Sequence, residues 1–263
     1  MIPLPFLASQ QSPEPDAYGL TVHVVRDFMM KDIDALDKGD VGVSTDRKGG
    51  YRVHILKMTR LDFPVIEAQF VFNAAAKSAE AETININSSF YGKGIGLRLM
   101  YNALRLCFWL NIPRITFEAG SQMGAYVWAH NGAVIEAQSM FNASVLLNRR
   151  IMALKEHMDF RDYYPLRDAA QLRHPDDLRF IAAARQALTR GQVKTALEQL
   201  NDKVMAMRLS GNPLLQREKV SVGAFALAGG QYHAHMAVAD PVPTVLIRRH
   251  IAAKSRAVAG LTP

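Results

Sequence analysis

The sequence predicts an α/β protein with a mainly helical C-terminal region. Three observations support that class. Between Tyr51 and Leu110 the apolar pattern changes from period two to helical spacing. A glycine-rich run, Phe90-Tyr91-Gly92-Lys93-Gly94-Ile95-Gly96, stands where the last strand pattern gives way to a helix. Beyond residue 143 helix signals follow one another. With 263 residues, 49% of them hydrophobic, the chain can bury a substantial core as one large domain or two modest ones.

Residues 1–19 hold four of the twelve prolines and read as an irregular arm, without the basic flank of a signal peptide. A core is expected over 20–142. Thr21 to Val25 reads as a strand. Asp27 to Leu36 reads as a short helix in which Phe28, Ile33 and Leu36 share a side. Gly39 to Gly50 reads as a loop or hairpin region. Tyr51, Val53 and Ile55 then alternate with Arg52 and His54 as in a strand; Val65 to Phe72 forms another after a turn at Asp62 to Pro64. Asn73 to Ala81 reads as a helical turn or mobile connection. Glu82 to Asn87, with Ile84 and Ile86 alternating against Asn85 and Asn87, reads as a half-buried strand.

After the glycine run, Leu99, Ala103, Leu106, Cys107 and Leu110 recur at helical spacing, which makes Cys107 a small core residue. Arg114 to Glu118 reads as a strand and about Gln122 to His130 as a helix closed by Asn131-Gly132, a left-handed cap. The remainder, 143–263, reads as helices over Ala143 to Met158, His174 to Arg190, Gln192 to Leu209 and Val245 to Val258. A strand is expected at 220–228, and His233 and His235 fit one side of another.

The lone Cys107 leaves no intrachain disulfide and points to a reducing compartment, read as the cytoplasm. No Cys/His cluster has metal-ligand spacing, so no metal is expected, and no apolar run approaches the roughly 20 residues of a membrane span. The net charge of +7 is uneven: residues 1–150 hold 15 basic against 14 acidic side chains, and 151–263 hold 16 against 10. A basic half is compatible with nucleic acid, but no recognition motif supports it, and interleaved acids fit a solvated surface better.

The glycine run carries the chemistry. In a strand-to-helix turn, glycines let backbone N–H groups converge on an anion at the positive end of the helix dipole. The run lacks the Gly-Lys-Ser/Thr ending of a P-loop, and Leu99 stands where a Gly-x-Gly-x-x-Gly fingerprint needs glycine.

Taken in order, about residues 51–133 resemble the GNAT superfamily of acyl-CoA-dependent N-acyltransferases. Gly94-Ile95-Gly96, preceded by Gly92-Lys93, matches the family's glycine loop, and Trp128-Ala129-His130-Asn131-Gly132-Ala133 stands where its Tyr-x-x-x-Gly-Phe-like ending belongs. The resemblance implies a mixed, mainly antiparallel sheet with flanking helices, and acetyl-CoA or another acyl-CoA as co-substrate. It implies a pyrophosphate held by the Gly92, Lys93, Gly94, Ile95 and Gly96 segment, with Arg98 screening charge and Ile86 pairing its backbone with the pantetheine arm. Tyr91 takes the place of the usual Arg or Gln, and Trp128 that of the tyrosine that protonates the thiolate. An indole N–H cannot act as that acid. The implied acid-base candidates are Glu118, preferred because it ends a strand, then Glu82, with Tyr126 two residues from Trp128; Glu67, His54 and His130 follow. The acceptor is an amine of unspecified class, and the C-terminal region is left to shape the acceptor side or a homodimer contact. A non-catalytic binding protein of the same fold is the competing expectation.

Overall fold

A computed structural model describes residues 20–45, 50–59, 61, 63–120, 123–200 and 203–258. The chain forms two units, one made by residues up to Phe117 together with those from Met236 onward, the other by Glu118–His235. Among the described residues it is mixed α/β, with ten α-helices and mostly antiparallel strand pairing. The N-terminal arm, 1–19, lies outside the described residues.

The first unit opens with α1 (Val22–Met30), where a strand was expected. The β-branched run Thr21-Val22-His23-Val24-Val25 mimics a strand, but Thr21 Oγ1 accepts from Val24 N at 3.3 Å and caps a helix that buries Val25 and Met29 one turn apart. The helix ends early, at Met30 rather than Leu36. The buried carboxamide of Asn102 donates to the carbonyls of Met29 at 3.0 Å and Lys31 at 2.9 Å, satisfying the helix end, and Asp32 turns the chain at φ +61°. Ile33 and Leu36 are still buried in the turns that follow.

Next come β1 (Val41–Thr45), β2 (Gly50–Met58), β3 (Pro64–Asn73) and β4 (Ser78–Ile86), each antiparallel to the one before. Within the 39–50 stretch, Val41–Thr45 is thus the first arm of a hairpin with β2, and 46–49 lie outside the described residues. The connection expected at 73–81 is a turn of four residues. Asn73 Oδ1 accepts from Ala76 N at 2.8 Å, Lys77 adopts φ +50°, and β4 starts at Ser78. Tyr51, Val53, Ile55, Ala68, Phe70 and Phe72 form the buried face, and Arg52, His54 and Gln69 lie on the other, as strand alternation requires. Helix α2 (Ile95–Trp109) buries Leu99, Met100, Ala103, Leu106 and Cys107, and burial pushes the Cys107 thiol up to about 12. Strand β5 (Arg114–Ala119) starts in this unit, whose strands lie in the order β1-β2-β3-β4-β5.

The second unit contains α3 (Gly124–His130), β6 (Val134–Ile135), α4 (Ala137–Met152), α5 (Phe160–Ala169) and α6 (Asp177–Ala182). It continues with β7 (Ala187–Thr189), α7 (Arg190–Gln199), α8 (Lys203–Ser210), β8 (Lys219–Ser221), α9 (Val222–Leu227) and the first four residues of β9 (Tyr232–Ala237). The last helix, α10 (Pro241–Val258), belongs to the first unit. Gly132, at φ +91°, closes α3 as the Asn-Gly pair predicts.

Several boundaries differ from expectation. The α4 helix begins at Ala137 and ends at Met152, and α5 had no expected counterpart. The helix entered at His174 stops at Ala182 rather than Arg190. Beyond it β7 pairs with β8, and Thr189 caps a new helix in a capping box with Gln192, so Gly191 lies in a first turn and not at an end. The expected 220–228 strand is a strand only over Lys219–Ser221. Ser221 Oγ then accepts from Ala224 N at 3.2 Å and caps α9.

Arg150 is 2% exposed, and its Nη1 donates to the carbonyls of Ala226 at 2.9 Å and Ala228 at 2.5 Å, closing the C-terminal end of α9. Arg150→Met keeps most of the volume but leaves both carbonyls without that donor. It is expected to cost about 2 kcal/mol in a urea melt followed by circular dichroism.

Candidate functional site

The glycine run is a built turn. Asn87 Oδ1 accepts from Ser89 N at 3.1 Å and from Ser89 Oγ at 3.0 Å, opening a 3-10 turn over Ser88–Phe90. Gly92 and Gly94 both adopt left-handed backbone, at φ +82° and +74°. Gly94 is the N-cap residue of α2; as glycine it has no side chain with which to cap, and the first turn of α2 contains no acidic residue. The N-cap residue therefore gives the amides that start α2 no side-chain acceptor, and they stand at the positive end of a fifteen-residue helix, a position that suits an anion.

Beside this turn the sheet opens. β4 pairs with β5 in parallel over Ala79–Ala81 and Ile115–Phe117, and among the described residues that ladder goes no further. At the same point β4 bulges. Phe70 faces Ala81 and Gln69 faces Thr83, leaving Glu82 as the extra residue. Past the bulge β4 keeps β3 on one side. Asn87 N donates to Val65 O at 2.9 Å toward β3, so strand alternation turns the backbone N–H and C=O of Ile86, and of Ile84, to the opposite edge. Helix α2 closes the corner, since a Cβ on Gly96 would stand 3.7 Å from Ile84 Cγ2 and 3.9 Å from Ile86 Cγ1. A helix N-terminus that suits an anion thus adjoins a strand edge that suits an extended, amide-bearing chain.

The charged side chains are less committed to the turn than the backbone is. Arg98 donates from Nη1 to the Asp32 carbonyl at 2.6 Å, which ties it to the exit of α1. Lys93 places Nζ 4.4 Å above the Phe90 ring, and Tyr91 is exposed. Glu82 is held on the polar face of the sheet by Arg52 Nη1 at 2.9 Å and by the Gln69 carboxamide. On the same face His54 stands in register with Gln69, and Asn85 reaches Glu67 at 3.5 Å.

The sequence candidates divide between the units. Glu82, Ile86, Tyr91, Gly92, Lys93, Gly94, Ile95, Gly96 and Arg98 lie in the first; Glu118 and Tyr126 lie in the second. Glu118 accepts from the carboxamide of Gln231, and Tyr126 stacks on His130 with ring centroids 5.3 Å apart. His130 Nδ1 is 3.1 Å from the Ala182 carbonyl, and Trp128 is buried in α3.

Sequence reasoning missed the bulge and the backbone of Ile84, although the signal was present. The inward positions run Ala79, Ala81, then Ile84, Ile86, so a step of three interrupts the period of two at Glu82. Among the described residues no group of three or more His, Cys, Asp and Glu can hold a metal ion, and no helix is long and apolar enough to cross a membrane.

Comparison with family models, with curated proteins and with solved structures returns no match to this chain.

Proposed function

We propose that the first unit binds an acyl-coenzyme A and that the protein is an N-acyltransferase of the GNAT kind, with acetyl as the default acyl group. One observation carries the reading: the β4–β5 ladder stops at the β4 bulge, next to a helix N-terminus opened by left-handed Gly94. Coenzyme A has the two matching parts, a pyrophosphate for the amides of Gly94 to Gly96 and an amide-bearing pantetheine arm for the Ile84 and Ile86 edge. In the reaction the acceptor nitrogen attacks the thioester carbonyl. A C–N bond forms, the C–S bond breaks, the nitrogen gives its proton to a base and the thiolate takes one up. Of the acid-base candidates from the sequence, Glu82 shares the unit of the glycine turn and sits at the bulge, so it is the preferred base.

Calorimetric titration with coenzyme A and acetyl-CoA tests the reading. Binding at or below about millimolar concentration is the expected result, and no heat at millimolar coenzyme A would sink it. Thiol release from acetyl-CoA with a panel of primary amines then tests turnover.

Buried Trp128 supports a second reading, a binding protein that keeps the acyl-CoA site without the reaction, its basic C-terminal half turned to an acidic partner. Coenzyme A binding without thiol release for any amine would favour it. A steep salt dependence of nucleic-acid binding would identify the partner.

A further inference from the structure

The second unit holds a cavity of about 300 Å³ that the acyl-CoA reading does not use. Its size is at the lower end of small-molecule sites. The walls are aliphatic: Ala143, Leu146 and Leu147 from α4, Leu178 from α6 and Leu227 from α9. Tyr232 from β9 adds its ring, while its hydroxyl is committed to the carbonyl of Ala125. Among the lining residues, carboxamides come only from Asn142 and Gln231, and Gln231 is exposed, so the cavity reaches solvent there.

The polarity of that rim is set by one hydrogen bond. Gln231 Nε2 donates to Glu118 Oε1. A carboxylate only accepts, so this contact orients the amide and leaves Gln231 Oε1 as a further acceptor. Glu118 is exposed, and among the described residues no basic side chain pairs with it. Arg150, the buried cation on α4, does not line the cavity and turns Nη1 to the carbonyls of Ala226 and Ala228. Glu118 does not itself line the cavity but is tied to its mouth by Gln231, so beside the Asn142 carboxamide the mouth offers the Gln231 acceptor and an adjacent negative charge above apolar walls. An anionic ligand would meet the Glu118 carboxylate. An ammonium group is donor-only and complements it, and hydrocarbon fits the space below.

We propose that this cavity binds a small amine with an apolar body, its ammonium at the Glu118–Gln231 rim and its hydrocarbon among Leu146, Leu147 and Leu178. The test titrates the full-length protein, without coenzyme A, with n-hexylamine, hexan-1-ol and hexanoate at neutral pH. Methyl chemical shifts of the three leucines locate the bound probe. Hexylamine is expected to bind about tenfold more tightly than hexan-1-ol, as a charge-assisted contact provides, with hexanoate the weakest. Glu118→Gln, an exposed and isosteric change, is expected to bring hexylamine down to the affinity of hexan-1-ol and leave the alcohol unchanged. No binding, tightest binding of hexanoate, unmoved leucine methyls, or an amine preference that survives Glu118→Gln would each overturn the proposal. Because the titration contains no coenzyme A, its outcome and that of the acyl-CoA titration are independent.

Discussion

Gly94→Val is expected to weaken coenzyme A binding about a hundredfold while the protein stays folded. Gly94 is the N-cap of α2 at φ +74° and ψ 14°, a conformation that costs a residue with a Cβ about 1–2 kcal/mol and a β-branched one more. Valine relieves that strain by leaving the left-handed region, which rotates the peptide joining Gly94 to Ile95 and separates the amides that start the helix. Each hydrogen bond to a charged group is worth about 1.5–3 kcal/mol, so losing two, even at the lower end of that range, moves affinity by about two decades. The cost falls on an exposed turn rather than the core, and a urea melt should move by no more than about 2 kcal/mol. Gly39→Ala is the control, since no atom lies within 4 Å of the Cβ it would introduce, and neither binding nor stability should change. Unaltered coenzyme A affinity in Gly94→Val would remove the glycine turn from the site and, with it, the main support for the acyl-CoA reading.

Gly96 separates packing from recognition in the same turn. Its Cβ would meet Ile84 and Ile86 at ordinary van der Waals distances, so alanine there should be accepted by the fold. The methyl group would nonetheless occupy the corner where α2 meets the open edge of β4. Two glycines two positions apart thus differ: Gly94 is required by its backbone conformation, while Gly96 keeps open the corner between α2 and the edge of β4.

How far the sequence could be read depended on whether the deciding interaction was local. β2, β3 and α2 were legible because each satisfies its own periodicity over most of its length, with one face against the core. α1 was not, because Thr21 to Val25 alternates like a strand and the groups that close the helix, from Asn102 and Arg98, lie about seventy residues away. The anion turn was legible from its glycines, and the parallel pairing of β4 with β5 from the strand–helix–strand order between them; where that ladder stops is set by the tertiary fold and no local pattern encodes it. The bulge was half legible, as a slip in apolar period that a strict strand reading discards. The second unit's cavity was illegible for the same reason as α1: its walls come from α4, α6, α9 and β9, and only folding brings them together.

Gly223→Ala is expected to destabilise the protein by about 3 kcal/mol, through the addition of a single methyl group. Gly223 lies in the first turn of α9, and its N–H donates to the Ala184 carbonyl at 3.2 Å. A Cβ there would stand 2.6 Å from the carbonyl oxygens of both Ile181 and Ala182 and 2.9 Å from the Ala182 carbonyl carbon. Those atoms are backbone at the end of α6, so no side-chain rotation relieves the overlap. Either α9 withdraws from α6 or the end of α6 distorts, and each loosens a contact in which Leu178, Ile181, Val222 and Phe225 are fully buried. Gly223 has no left-handed backbone conformation, which distinguishes it from Gly94: here the requirement is space alone. Over Val220 to Ala228, where a strand was expected, Ser221 caps α9 instead, and that helix can approach α6 this closely only at a position without a side chain. The measurement is a urea melt by circular dichroism beside Gly39→Ala. A Gly223→Ala midpoint equal to wild type would mean that α9 does not pack on α6 at this distance.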